Sequence, residues 1–309
     1  EDVRAYATAI KHVSILPGIR SADIEKLQGN NILQLSDIRK DTLEKMFPKR
    51  KCKLFWTQFV AFHSRHTTKT TFIGNIESVR RAINTAQYQR TVYIDIETFP
   101  DNDGDRITSG GSIRMFMVGL GWVNPRTHKF EFESFLLSER SLIAEQRMVR
   151  ALFQKMERLF GFNFAETHQS PIIRAYHWAH VDKTAIKMIA KTAPSLEKAF
   201  LCIEWIDLCT IFRKAPILLP DVYTFKLKDV TRGLFGGLYD DLSVACGTDA
   251  MLRAWNLYRS RNECRPHRDH PILNQIVCYN KLDCEVLYKI HMKLHQMVTD
   301  PCCLRSLQT

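Results

Sequence analysis

Residues 91–97 read Thr-Val-Tyr-Ile-Asp-Ile-Glu. The run is rich in β-branched and aromatic residues, the composition that fits a pleated, half-buried strand. It ends in acids. Asp95 and Glu97 stand two positions apart, and the two-residue repeat of a strand puts both carboxylates on one sheet face. The end of a strand is where an α/β sheet meets its ligands. Two like charges there repel unless a cation lies between them, and an all-oxygen set suits Mg²⁺ or Mn²⁺. The same pattern also describes a strand edge whose acids face water.

Working outward, Ile113–Val123 and Lys129–Leu137 read as two further strands. Leu142–Phe160 has helical periodicity. Ile172–Tyr176 reads as a short buried strand, Val181–Ala190 as a helix and Cys202–Leu208 as another strand. Helices are expected near Phe225–Leu234, Met251–Arg259 and Ile272–Met297. Three strands followed by alternating helix and strand give an α/β fold, a mixed sheet flanked by helices. Upstream, Ser14–Leu27 reads as a Pro-Gly turn and a helix. Asn31–Phe47 reads as a second helical stretch that Pro48 stops. The polar residues 67–90 read as a linker, with a helical option at Ile76–Tyr88. The expected division is a small all-helical basic module at 1–66, the linker, and one α/β domain at 91–300.

The chain has 309 residues, 45% apolar and 25% charged, with a formal net charge of +11. This composition excludes disordered and collagen-like classes. The longest strongly apolar stretch, Met115–Val123, is too short to span a membrane, so no membrane partner is expected. Residues 1–90 carry 16 basic and 8 acidic residues, and residues 91–309 carry 28 and 25. That asymmetry points to a polyanion, most commonly nucleic acid, or to a solubilising surface. Nine cysteines, an odd number without C-x-x-C, imply an intracellular, reducing compartment. The chain opens on Glu1 rather than Met, and a longer polypeptide or a protein complex is expected around it.

Two more features join the first pair of acids. Asp182 follows the strand Ile172–Tyr176 after His177-Trp178-Ala179-His180 and opens a helix, where Asp also serves as an ordinary cap. Tyr279-Asn-Lys-Leu-Asp283 sits on the last helix, with Tyr279 and Asp283 four apart on one face. His177 and His180 flank Asp182, able to meet a phosphate or to serve as structural histidines. Trp178 is placed either to stack on a base or to fill the core.

The order Asp95-Ile-Glu97, then Tyr176-His-Trp-Ala-His-Val-Asp182, then Tyr279-Asn280-x-x-Asp283 resembles the three motifs of the DEDD superfamily of 3′→5′ exonucleases, in its Tyr form. Within it the chain is similar to the YprB-type RNase H-like exonuclease domains found beside RecB-like nucleases. The second motif usually reads Tyr-Asn-Gly-x-x-Phe-Asp; here His177 replaces Asn and Val181 replaces Phe. Tyr223-Thr-Phe-Lys-Leu-Lys-Asp229 and Gly247-Thr-Asp-Ala250 agree as auxiliary pieces. The resemblance covers about two-thirds of the chain. It implies an RNase H-like fold and two Mg²⁺ or Mn²⁺ ions shared by Asp95, Glu97, Asp182 and Asp283. One ion would activate a water and the other would stabilise the leaving 3′-oxygen, with Glu97 and Tyr279 orienting the water. Tyr279, with an ordinary pKa near ~10, suits orientation better than proton removal. Its other reading is a core aromatic with a satisfied hydroxyl. The implied substrate is a single-stranded 3′ end of DNA or RNA.

Leu16-Pro-Gly-Ile19, with Ala22 and Leu27, resembles one helix-hairpin-helix unit. It implies a phosphate contact at Gly18, Ile19, Arg20 and Ser21, or a protein-docking surface. Lys49, Arg50 and Lys51 add candidate phosphate contacts or a solvated face. Cys264-x-x-His267-x-x-His270 lacks a fourth zinc ligand at the usual spacing. His291 and His295 read as a polar helix face. No P-loop or nucleophile-elbow pattern occurs. Three function classes follow: a metal-dependent nuclease, a catalytically silent binding platform, and a subunit active only with partners.

Overall fold

The structure, a computed structural model, describes residues 3–48, 53–64, 71–84, 90–99, 115–167, 171–244, 246–259 and 270–299. The chain divides into two compact units. The first comprises Glu1–Ile83, Cys209–Leu238 and Lys293–Thr309, and the second Asn84–Leu208 and Tyr239–Met292.

The first unit opens with α1 (Val3–Ala9), α2 (Ser21–Gln28), α3 (Lys40–Met46), α4 (Lys53–His63), β1 (Phe72–Ile73) and α5 (Ile76–Ile83). The second unit takes β2 (Thr91–Thr98), β3 (Met115–Val123), β4 (Phe130–Leu136), α6 (Leu142–Phe160), β5 (Ile173–His177), α7 (His180–Ala190), α8 (Pro194–Leu201) and β6 (Ile203–Asp207). The chain continues with α9 (Leu208–Lys214), β7 (Ile217–Leu218), α10 (Leu227–Phe235), α11 (Gly247–Arg259) and α12 (Pro271–Thr299).

The named elements described between residues 3 and 64 are all helical, and the first compact unit extends beyond them. β1 pairs antiparallel with β7, Phe72 opposite Leu218, so residues 209–238 belong with the N-terminal helices. Leu27, Leu35, Leu43 and Trp56 are fully enclosed in one apolar cluster with Phe72 and Leu218. Each such side chain contributes roughly 1.5–3 kcal/mol on burial. The stretch 31–47 is not one helix. The Asp37 carboxylate accepts the N–H groups of Leu33 (3.0 Å) and Gln34 (2.8 Å), closing a 3₁₀ turn at Leu35–Asp37 before α3 begins. A local side-chain bond to the backbone has outcompeted the helical spacing of the apolar residues. α4 carries apolar residues almost throughout, and its period did not stand out in the sequence.

In the second unit a mixed five-stranded sheet has the order β4-β3-β2-β5-β6. β3 runs antiparallel to β2 and β4, and β5 runs parallel to β2 and β6. α6 packs on β3 and β4, α7 on β2, and α8 on β6. α6 has the ends expected from its sequence. Ser141 Oγ accepts from Ala144 N–H (3.1 Å), and Gly161, at φ +65°, ends the helix.

Alternation along β2 divides core from site. Val92, Ile94 and Ile96 join the apolar cluster with Leu152 of α6 and Ile186 of α7. Tyr93 and Asp95 face α12 instead. Tyr93 Oη lies 2.9 Å from His291 Nδ1, and Asn280 Nδ2 donates to Asp95 Oδ2 (2.7 Å). Gly119, opposite Asp95 in the β2–β3 register, makes room for that contact. A Cβ there would fall 2.0 Å from Asn280 Oδ1 and 2.9 Å from Phe132 Cε2.

Gly119→Ala is expected to displace Asn280 and lower stability by about 1–3 kcal/mol, the usual range for overpacking. Urea unfolding should show a lower midpoint at an unchanged slope. A variant as stable as the parent would mean that the seam between β3 and α12 adjusts freely.

Candidate active site

Three carboxylates converge in the second unit. Asp95 and Glu97 come from β2, and Asp283 from α12. One oxygen of each lies within 4.8 Å of the others. The strand repeat puts the first two on one face, as the sequence implies. A bulge after Glu97, where the register with β3 shifts, closes the row. Glu97 and Asp283 are buried and Asp95 is half-buried. Gly247, at the start of α11, borders the group: a Cβ there would stand 4.0 Å from Glu97 Oε2.

Burial, then the charges of Asp283, Asp182 and Glu97, push the Asp95 carboxyl well above the usual range, against the Asn280 amide that favours its charged form. Asp182 lies outside the three-acid group, yet its charge and that of Asp283 raise each other's cost. It is 5% exposed in the first turn of α7. Burial raises its pKa, and backbone N–H groups of Trp178 and Ile96 oppose the rise. Its Oδ2 is enclosed without a hydrogen-bond partner among the described residues. An enclosed oxygen of that kind costs free energy unless an acceptor function is used.

The loop before Asp182 is held from β6. Asp207 Oδ1 accepts the Ala179 N–H (2.9 Å), and Ala179 takes φ +65° and ψ 178°, a conformation of order 1–3 kcal/mol for a residue with a Cβ. His177, 1% exposed, packs edge-on against Trp205 with Nδ1 3.8 Å from Asp182 Oδ2. Burial pushes its pKa down, so the ring is neutral and enclosed rather than a surface contact for phosphate. Trp178 is half-buried and His180 exposed.

Tyr279 is buried one turn from Asp283. Burial, followed by the charges of Asp283, Asp95 and Glu97, pushes its phenol far above the ordinary tyrosine range. It stays protonated at neutral pH and acts as a hydrogen-bond donor. Tyr239 does the same from the loop after α10: its Oη donates to Asp283 Oδ1 (2.5 Å), 44 residues away in the chain. Nothing in Gly236-Gly-Leu-Tyr-Asp-Asp241 marks that contact, so Tyr239 had no sequence signal. Asn280 had one, as a member of Tyr279-Asn280-x-x-Asp283, without a role attached to it.

In the first unit Gly18 is exposed at φ +72°, Ile19 half-buried, and Arg20 and Ser21 exposed. Lys49, Arg50 and Lys51, with Cys264 and His267, lie outside the described residues. Among the described residues Cys202, Cys209, Cys246, Cys278 and Cys284 form no disulfide. No helix among the described residues is long and apolar enough to cross a membrane.

The buried acids fix the sign of a pH effect. Asp95 and Asp182 have folded pKa values above their unfolded values near ~4, so the folded state binds more protons. Without divalent ions, stability is expected to be greatest at acid pH and to fall as pH rises through the raised values. Asp95→Asn removes one charge and leaves Asn280 an acceptor. In EDTA at pH 7 this variant should be more stable than the parent, because a charge that burial and its neighbours disfavour is gone. Thermal melts check this; a variant that melts below the parent would show that the acids do not repel.

Compared with protein-family models, with curated proteins and with solved structures, the chain matches none of them.

Proposed function

We propose that this chain is a metal-dependent nuclease, a DEDD-type 3′→5′ exonuclease of RNase H-like fold acting on DNA or RNA. The observation that carries the reading is the convergence of Asp95, Glu97 and Asp283 within 4.8 Å. Three carboxylates so placed repel one another, and divalent cations are what relieves such a set. The sheet supports the fold reading. Numbered within the sheet, its order is third, second, first, fourth, fifth, with the second strand antiparallel to its neighbours, which is the arrangement the RNase H-like reading implies.

The donor set fits two Mg²⁺ or Mn²⁺ ions. All donors are oxygens, and the enclosed Asp182 Oδ2 lacks a partner among the described residues. Asp95, Glu97 and Asp283 would hold the ions with Asp182, which when bound supply Lewis-acid activation of a water and charge neutralisation at the leaving 3′-oxygen. The remaining work falls to the chain. Asn280 fixes the rotamer of Asp95 and Tyr239 that of Asp283. Glu97 offers an acceptor to orient the attacking water. Tyr279 keeps its proton and donates a hydrogen bond, which positions an oxygen rather than removing a proton. The half-buried Trp178 and the exposed His180 flank Asp182 and would meet the strand; His177 supports them from inside.

The test uses 5′-labelled single-stranded DNA and RNA with Mn²⁺, Mg²⁺ or EDTA, beside Asp95→Ala/Glu97→Ala. A metal-dependent ladder shortening from the 3′ end, absent in EDTA and in the double variant, is expected. Tyr279→Phe, which removes one hydrogen-bond donor, should lower the rate by about 10²-fold, and Asp95→Ala by more. Oligonucleotides left intact under every metal would refute autonomous hydrolysis.

A further inference from the structure

A groove of about 1270 Å³ is built entirely from residues of the first unit. Its lining comes from stretches far apart in sequence, among them 14–19, 54–58 and 213–226. Trp56 Nε1 donates to Pro17 O (2.9 Å) and so pins the Pro17-Gly18 turn to α4. Gly18 leaves that turn open: nothing lies within 4 Å of where its Cβ would stand.

Charge in the groove has one sign. Arg213, Lys214 and Lys226 line it, all three exposed, and no Asp or Glu does. None of the three has a carboxylate partner among the described residues. Asp229, close by in α10, accepts the hydroxyl hydrogen of Thr224 and lies 4.0 Å from Arg232. Half-buried aromatic rings line the same groove. Phe55 and Phe225 have centroids 5.7 Å apart, and Tyr223 rests on His63 at 4.5 Å. Unpaired cations accept any polyanion. Aromatic faces beside them favour one whose repeating units carry flat π-systems, and only an unpaired strand exposes its base faces.

We propose that this groove binds single-stranded nucleic acid, phosphates on Arg213, Lys214 and Lys226 and bases against Phe55, Tyr223 and Phe225. The proposal rests on the nuclease reading only for its choice of polymer, and none of its residues belongs to the acidic site.

The test is fluorescence anisotropy with the full chain in EDTA, using fluorescein-labelled oligothymidylate and oligouridylate across a salt series. Arg213→Gln/Lys214→Gln/Lys226→Gln keeps side-chain length at exposed positions, and a parallel melt checks its folding. Affinity should fall tenfold or more at ~0.1 M salt, and the slope of log affinity against log salt should shrink by about 2, near 0.7 per lost phosphate contact. A control at exposed cations of the second unit, Arg147→Gln/Lys187→Gln/Lys191→Gln, should bind as the parent does. Unchanged binding in the first variant, or equal loss in the control, overturns the site. A polyglutamate that competes as well as the oligonucleotide overturns the polymer class in favour of an acidic peptide. A duplex that binds as tightly overturns the single-strand assignment. Asp95→Ala/Glu97→Ala should bind like the parent; a parent chain that binds but fails to hydrolyse under every metal refutes the nuclease reading alone, and hydrolysis with intact binding in the triple variant refutes the groove alone.

Discussion

The hydrogen bond from Asn280 to Asp95 ties α12 to the middle of the sheet, and the site depends on it. Asp95 and Asp283 would separate if charge alone decided. The bond at 2.7 Å holds one acid while the helix carries the other, Asp283, three residues' rise away on the same side. It forms only because Gly119 presents no side chain at the point where the amide reaches β2. Sheet register, one glycine and one amide thus combine to keep like charges within reach of each other.

That arrangement is unfavourable in isolation. Burial and mutual repulsion push Asp95 and Asp182 toward their neutral forms. Stability of the rest of the unit must offset the cost, and the apolar layer between β2, α6 and α7 is where it is gained. The two tyrosines around Asp283 complete the balance. Tyr239 and Tyr279 remain protonated because burial, and then the negative charges around them, disfavour the phenolate, and they therefore donate to the carboxylate. Ala179 at positive φ in the loop before Asp182 adds backbone strain, which persists only where the surrounding structure over-determines it.

Parts of this were legible in the chain. The alternation of Thr91–Thr98 places Asp95 and Glu97 together because strand side chains repeat every two residues. Tyr279 and Asp283 share a face because a helix repeats near four. The helical periodicity of Leu142–Phe160 marks α6, and the structure caps it at Ser141 and Gly161. The helical stretch expected at Asn31–Phe47 is broken into a 3₁₀ helix at Leu35–Asp37 and α3, because one carboxylate bonding its own backbone overrides the apolar spacing. Residues 209–238 read as part of the α/β domain, yet they pack with the N-terminal helices through β1 and β7.

The sequence by itself determined which acids share a face within one element, since local periodicity is enough for that. Only the tertiary structure decided that Asp283 meets Asp95, that Tyr239 reaches across 44 residues to hold it, and that His177 is enclosed and neutral while His180 is exposed. Contacts between elements follow from how whole faces pack, and protonation follows from the burial that packing creates; neither is encoded in the spacing of neighbouring residues.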